Sequence, residues 1–312
     1  MAFIYEFWEA KKDGHRYVNI TGYEGKAGNL VIPESIEGVA VEAIGNHAFS
    51  GREDLYGVQI PETVRTIYGF AFHNCKNLRK IALFDSIDDY YDGVCRQCDS
   101  LEEVEITVNN SWFEVIRNFL ADNDKTLRFL IHVKTGEDLE KEEYATSCLT
   151  FPEYIYDFNE NTMARTIQFS IAGSGYAFRE CVDRRRIDYR QYDSLFEKAV
   201  IDGGEIAQDI AIGRILHRIE LEDRYKTAYE KYLRDNGKSV LERLVKKCSE
   251  EGNSSETVSV LNGLLDKKDI FTAEAVDSAI NLAVRLDNSV IIATLMDKSA
   301  PADRSKNNVF SL

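Results

Sequence analysis

A few features of this sequence combine residue types and spacings that could do chemistry. Cys95-Arg-Gln-Cys98 has the spacing of a redox dithiol or of half a zinc site, in which two thiolates three residues apart close on one atom. No second Cys-x-x-Cys and no His-x-x-x-His accompanies it to complete a tetrahedral set. Gly173-Ser174-Gly175, ahead of a helical stretch, could cradle an anion, but so short a match reads as a turn, and it misses the nucleophile-elbow pattern by one residue. Gly25-Lys26-Ala27-Gly28 lacks the spacing of a phosphate loop. The acidic band from Asp85 to Glu105 has Arg96 as its counter-charge. Within it, Asp88-Asp89-Tyr90-Tyr91-Asp92-Gly93 lacks the alternating acids and distal glutamate of a calcium loop, so the band reads as a solvated rim. His15, His47, His73, His132 and His217 are far apart. The expectation is therefore no catalytic residue, no metal and no cofactor.

The elements that position these residues explain the cysteines better than metal chemistry does. Three blocks of about 23 residues align without a gap: VEAIGNHAFSGREDLYGVQIPET from Val41, VRTIYGFAFHNCKNLRKIALFDS from Val64, and IDDYYDGVCRQCDSLEEVEITVN from Ile87. Apolar columns run through them as Val41/Val64/Ile87, Ile44/Ile67/Tyr90, Ala48/Ala71/Val94 and Phe49/Phe72/Cys95. The second half of each block gives Leu55/Leu78/Leu101, Val58/Ile81/Val104 and Ile60/Leu83/Ile106. Cys98 falls in the column of Cys75, so the two cysteines are three apart because two core columns are three apart. The L-x-x-V-x-I half sends alternate side chains inward as a short strand does. One coil cannot bury both of its edges, but stacked coils make a continuous apolar ladder. Ser50-Gly51, Asn74 and Asp99-Ser100 mark the turns.

The blocks AIGNHAFSG…L-x-x-V-x-IPET and TIYGFAFHNCKNLRKI resemble the BspA-like class of leucine-rich repeats, and the lead-in ITGYEGKAGNLVIPESIEGVAVEAIG resembles the segment that opens such arrays. Ile32-Pro33 stands there where Ile60-Pro61 stands later. The resemblance covers roughly residues 17–109. It implies a recognition surface rather than an enzyme, in a family many of whose members sit at the bacterial cell surface. Ser111–Ala121 then reads as an amphipathic helix through Trp112, Phe113, Val115, Ile116 and Phe119, and Leu127–Val133 as a further strand, together a last repeat or a cap.

Composition bounds the rest. At 312 residues, 44% hydrophobic and 29% charged, the chain can form two globular domains. A net charge of −15 repels phosphate backbones and anionic lipid. The one basic run, Arg184-Arg185-Arg186, is flanked by Asp183 and Asp188 and reads as a solvated face. No apolar run is long enough to cross a bilayer, and Glu6 and Glu9 interrupt the greasy N-terminus, so the expected compartment is the cytoplasm of a bacterium, or the surface if a leader precedes the sequence. Scattered cysteines suit a reducing interior, which makes the sequon Asn19-Ile-Thr21 a chance match.

The expected fold is α+β: a leucine-rich-repeat solenoid with flanking cap over residues 1–134, a linker and strand over 135–160, and a helical domain over 161–312. The stretches LTFPEYIYDF and ARTIQFSIAG pair either with each other or with the solenoid end, and the acidic segment 135–148 crosses between domains. Helices are predicted near 190–201, 204–220, 222–235, 238–250, 256–266, 273–286 and 289–298. Within 238–299 the last two pairs overlay, Leu244 on Ala279, Cys248 on Ala283 and Val258 on Ile291. They resemble ankyrin-type helix pairs without the usual turn signature; an irregular helical bundle is the alternative. The predicted function is non-catalytic protein binding by the strand face, which would carry Val31, Gly57, Gln59, Lys80, Ala82, Glu103 and Glu105, with no nucleic acid and no membrane as partner. The alternatives are an enzyme with a site between the halves using Tyr176, Arg179 and Arg184, and a surface-displayed adhesin.

Overall fold

The structure, a computed structural model, describes residues 2–135, 143–161, 166–267 and 269–299. The chain divides into two compact units, residues 1–207 with 219–221, and residues 208–218 with 222–312. Of the expected acidic crossing, Glu137, Asp138, Glu140, Lys141 and Glu142 lie outside the described residues.

The first unit contains the solenoid. The L-x-x-V-x-I segments form one sheet: β3 (Gly28–Val31), β6 (Leu55–Gln59), β8 (Lys80–Phe84), β10 (Glu103–Val108) and β11 (Leu127–Lys134), all parallel, then β12 (Tyr144–Phe151) antiparallel at the end. The opposite sheet holds the N-terminal hairpin β1 (Ala2–Glu9) and β2 (Arg16–Glu24). It continues through β5 (Val39–Ile44), β7 (Thr66–Ile67) and β9 (Asp89–Tyr90), with β4 (Ser35–Ile36) folded back on β5. Every column residue of the repeat is buried except Tyr90, which is half-buried.

The stack is held by backbone bonds from each coil to the next. Phe49 N–H donates to Ala71 O at 2.8 Å and Phe72 N–H to Val94 O at 2.9 Å; Gly51 N–H donates to His73 O and Asn74 N–H to Arg96 O in a second ladder. Two columns adopt positive φ in all three coils, His47/Phe70/Gly93 (φ 56, 58 and 70) and Gly51/Asn74/Gln97 (φ 73, 59 and 63). The side chains in the first column stack, His47 on Phe70 at 5.2 Å. Its third member must be glycine, since a Cβ on Gly93 would lie 2.6 Å from the Phe70 ring.

The ladder needs an ending, and α1 (Glu114–Asp122) supplies it. This helix buries Val115, Ile116, Phe119 and Leu120. Its last residue, Asp122, takes over the acceptor role that the next coil's carbonyls would play. Gly93 N–H donates to Asp122 Oδ1 at 3.1 Å and Cys95 N–H to Oδ2 at 3.2 Å, and the Tyr90 hydroxyl donates to Oδ2 at 2.9 Å. Burial raises the Asp122 carboxyl above its ordinary range against these bonds.

The β-like stretches do both things expected of them. LTF belongs to β12 on the solenoid, while β13 (Ile155–Asn161) and β14 (Thr166–Ala172) pair antiparallel with each other. Short helices follow: α2 (Gly175–Arg179), α3 (Tyr189–Ser194) and α4 (Phe196–Asp202), the last two dividing the single helix expected over 190–201. The free edge of β12 is met by Tyr192, whose hydroxyl accepts from Thr150 N–H at 3.0 Å and donates to Thr150 O at 2.7 Å.

Beyond α5 (Ile206–Leu216), the second unit contains α6 (Asp223–Asp235), α7 (Gly237–Glu250), α8 (Ser255–Leu265), α9 (Ala273–Arg285) and α10 (Ser289–Ser299). Helix α7 lies against α9 and α8 against α10, two stacked hairpins. Their caps repeat: Ser254 Oγ accepts from Thr257 N–H at 3.3 Å, and Asn288 Oδ1 from Ile291 N–H at 3.2 Å. Thr257, rather than the half-buried Val258, is thus the equivalent of Ile291, and both are buried. The overlays of Leu244 on Ala279 and Cys248 on Ala283 place buried residue on buried residue.

Candidate functional site

The outer face of the larger sheet is built by strand pairing. One row across it runs Asn29, Gly57, Lys80, Glu103, Arg128, Thr150; the next runs Val31, Gln59, Ala82, Glu105, Leu130, Cys148; a third holds Phe84, Thr107, His132 and Thr146. All seven residues expected on this face are there, but they are not equally open. Val31 is 60% exposed and Gln59 is exposed. Lys80, Ala82 and Glu105 are half-buried. Gly57 and Glu103, expected to be exposed, are buried. A Cβ on Gly57 would lie 2.8 Å from Asn29 Oδ1, so the Asn29 side chain covers it, and Glu103 is 6% exposed beneath its ion partners.

Those partners make a network. Lys80 Nζ lies 2.8 Å from Glu103 Oε1 and 2.7 Å from Glu105 Oε2, Arg128 pairs with Glu103, and His132 Nε2 lies 3.1 Å from Glu105 Oε1. His132 Nδ1 lies 3.1 Å from Thr146 Oγ1, which carries the network onto β12. His132 foremost, with Lys80, holds the Glu105 carboxyl down to about 2 against the upward push of burial. Burial pulls the Lys80 ammonium down, but Glu103 and Glu105 outweigh it and its pKa is raised. The charges on this face therefore neutralise one another, leaving Val31, Gln59, Ala82 and Leu130 as its unsatisfied contact surface.

Arg128 and His132 are the residues that sequence reasoning missed. Their signal is the alternation of Leu127, Phe129 and Ile131, which turns 128, 130 and 132 outward. The insertion of α1 lengthens that coil, so the earlier spacing does not lead to them.

The other chemical candidates are absorbed by packing. Cys75 Sγ donates to Phe49 O at 3.1 Å and Cys98 Sγ to Phe72 O at 3.1 Å, the same bond one coil later. Hydrogen bonding with Cys98 and burial push the Cys75 thiol far above its usual range. The bond to Cys75 pulls the Cys98 thiol down, but Cys95 and burial carry it well above normal. Buried protonated thiols are poor nucleophiles and poor ligands. Among the described residues no group of three His, Cys, Asp or Glu is placed to hold a metal. Asp85 accepts from the N–H groups of Asn109, Asn110 and Trp112 at 3.0, 2.6 and 3.3 Å, a turn staple rather than part of a solvated rim.

Arg179, offered as a catalytic candidate, is a clamp. Its guanidinium donates to five backbone carbonyls, those of Leu120, Pro152, Gly175, Asn123 and Lys125. Burial lowers its pKa to about 10. Arg184 Nε lies 2.7 Å from Glu114 Oε2, and Tyr176 is exposed with its ring edge on Tyr154. Gly175 is required by close backbone approach, because a Cβ there would lie 2.1 Å from Pro152 O; the Ser174 N–H is taken by Asp202 at 2.7 Å. No helix among the described residues is long and apolar enough to cross a membrane.

Residues 23–141 match the BspA type leucine rich repeat region in six copies. Among solved structures, the T. pallidum Leucine Rich Repeat protein is 21% identical with a TM-score of 0.23, over 32% of this chain and 68% of that one. A leucine rich cell surface protein from Faecalibacterium prausnitzii A2-165 is 19% identical with a TM-score of 0.23, over 33% and 43% of the two chains. A leucine-rich repeat protein from Bacteroides ovatus ATCC 8483 is 16% identical with a TM-score of 0.21, over 35% and 49%. This chain thus spans less than half the length of the last two. No curated protein matches the sequence. The apolar columns buried in register and the coils bonded one to the next lie within the segment that matches the BspA type leucine rich repeat region, and this repeat region is followed by a helical one.

Proposed function

We propose that this chain is a binding protein whose larger sheet presents its outer face to a protein partner. Leucine-rich repeats generally act as protein-interaction or adhesin-like modules. The observation that carries the reading to this face is the contrast across it: an ion network that neutralises itself beside an open region around Val31 and Gln59. A partner surface of mixed, largely uncharged character fits such a face, since the charged groups are already satisfied.

Reversing charge at Lys80 and Glu103 together is a poor test, because K80E would set two acids side by side at Glu105 and E103K two bases at Arg128. Val31→Asp with Gln59→Arg touches neither. Wild type and this variant, immobilised and exposed to lysate of the native cell, should differ by mass spectrometry in one or a few captured proteins. A partner held equally by both would move the site off this face.

A further inference from the structure

The smaller sheet carries a second surface of different chemistry. Tyr68 and Tyr91, one coil apart, stack at 5.1 Å with 22° between their planes. The first coil has Gly45 in that column, where a Cβ would meet Ile20 O at 2.9 Å. The ring that neighbours Tyr68 on its other side comes instead from the hairpin: Trp8, with centroids 5.7 Å apart and planes at 65°. Trp8 also meets its cross-strand partner Tyr17 at 6.3 Å and 71°. Two tyrosines therefore stand edge-on to one indole, and the stripe ends at Tyr91, 48% exposed. Repeats alone would not build this arrangement; the hairpin completes it.

Three of the four rings have a carboxylate near them. Glu6 accepts from the Trp8 indole N–H at 3.0 Å. Burial first, and then the charge of Glu42, raises the Tyr17 phenol; burial, Tyr17, Tyr91 and Asp89 raise that of Tyr68. Counter-charges among the described residues include His15, bridging Asp13 and Glu42 at 2.7 and 2.9 Å, Arg65, whose guanidinium donates to Ser86 O at 3.3 Å, and Arg16, which lies over the Phe7 ring of the hairpin. Aromatic faces attract cations through their quadrupoles, and neighbouring carboxylates strengthen that attraction. A chain of net charge −15 adds a long-range field of the same sign.

We infer that the stripe Trp8, Tyr17, Tyr68 and Tyr91, with Glu6, Glu42 and Asp89, is a docking surface for a lysine- and arginine-rich segment of a protein, separate from the larger sheet. The test uses the full chain and a synthetic decapeptide alternating glycine with lysine and arginine, titrated by calorimetry and followed by tryptophan fluorescence at about 0.15 M salt. A glutamate-substituted decapeptide and a neutral glucan oligosaccharide serve as comparison probes. Saturable binding of the basic peptide is expected, weakened about three- to tenfold by Tyr68→Ala and by Tyr91→Ala. Asp89→Asn should weaken it as well, and Val31→Asp on the other sheet should not. Tyr91, the more exposed ring, gives a variant whose fold is easily preserved, verified by an unchanged circular dichroism spectrum. Binding that ignores both tyrosines, binding of the glucan or acidic peptide to the same rings, or no saturation by millimolar basic peptide would each overturn the assignment.

Discussion

Asp122 offers the sharpest test of how the solenoid ends. In Asp122→Ala the Gly93 and Cys95 amides and the Tyr90 hydroxyl lose their acceptor at once. A buried donor left unsatisfied costs about 1–3 kcal/mol. Part of that returns as relief of the carboxyl's desolvation, and part through water entering the adjoining cleft of about 320 Å³ lined by Cys95, Cys98, Asp122 and Tyr154. A net loss of roughly 2–4 kcal/mol is expected, or about 5–15 °C in the melting transition of the first unit. Urea denaturation gives the global figure, and hydrogen exchange at Gly93 and Cys95 gives the local one. The pH dependence has a definite sign. Because the folded carboxyl titrates above its unfolded value of 3.8, the stabilisation by Asp122 is complete below pH 3.8 and diminishes as pH rises through the folded value. The gap between wild type and Asp122→Ala should therefore be wider in acid than at neutrality. A loss below about 0.5 kcal/mol with unchanged exchange at both amides would refute the idea that one carboxylate stands in for a missing coil.

Two further outcomes follow from the packing. Gly93→Ala sets a Cβ 2.6 Å from the Phe70 ring at φ 70, and should cost about 2–4 kcal/mol; in the double variant with Phe70→Ala the two losses should fall short of additive by at least about 1 kcal/mol in a urea-denaturation cycle. Glu105, ionised in the folded chain down to about 2 against 4.5 unfolded, contributes stability present above pH 4.5 and lost as pH falls through 2. With solvent screening this is on the order of 1–2 kcal/mol. Wild type should lose its advantage over Glu105→Gln across that interval, and a constant advantage would contradict the pairing of Glu105 with His132 and Lys80.

The solenoid was legible because burial in a stacked coil leaves a periodic trace, and Cys95 and Cys98 could be assigned to columns rather than to a metal on that trace alone. The turns were partly legible. Gly51 and Asn74 are residues that tolerate positive φ, whereas Phe70 and Gln97 adopt it because neighbouring coils hold them there. The seven expected residues do lie on one face of the larger sheet, but the burial of Gly57 and Glu103 and the ion network there were not visible. That Glu103 lies under Arg128 depends on the register of β10 with β11, which an inserted helix hides from any fixed spacing. The N-terminal hairpin went unread although Phe3, Tyr5 and Phe7 alternate ahead of Asp13-Gly14. Its role lies in long-range contact with Tyr68, which no local pattern contains.

The paired backbone ladders have an evolutionary corollary. Because every coil offers the same donors forward and the same acceptors backward, an in-frame duplication of one whole block between Ser86 and Ile87 would find its bonding partners already in place. The hairpin at one end and the Asp122 stop at the other would be untouched. Length in this protein can change by whole coils, and where a coil departs from 23 residues, as between Glu103 and Arg128, the extra residues are taken up outside the strands so that the ladder stays in register.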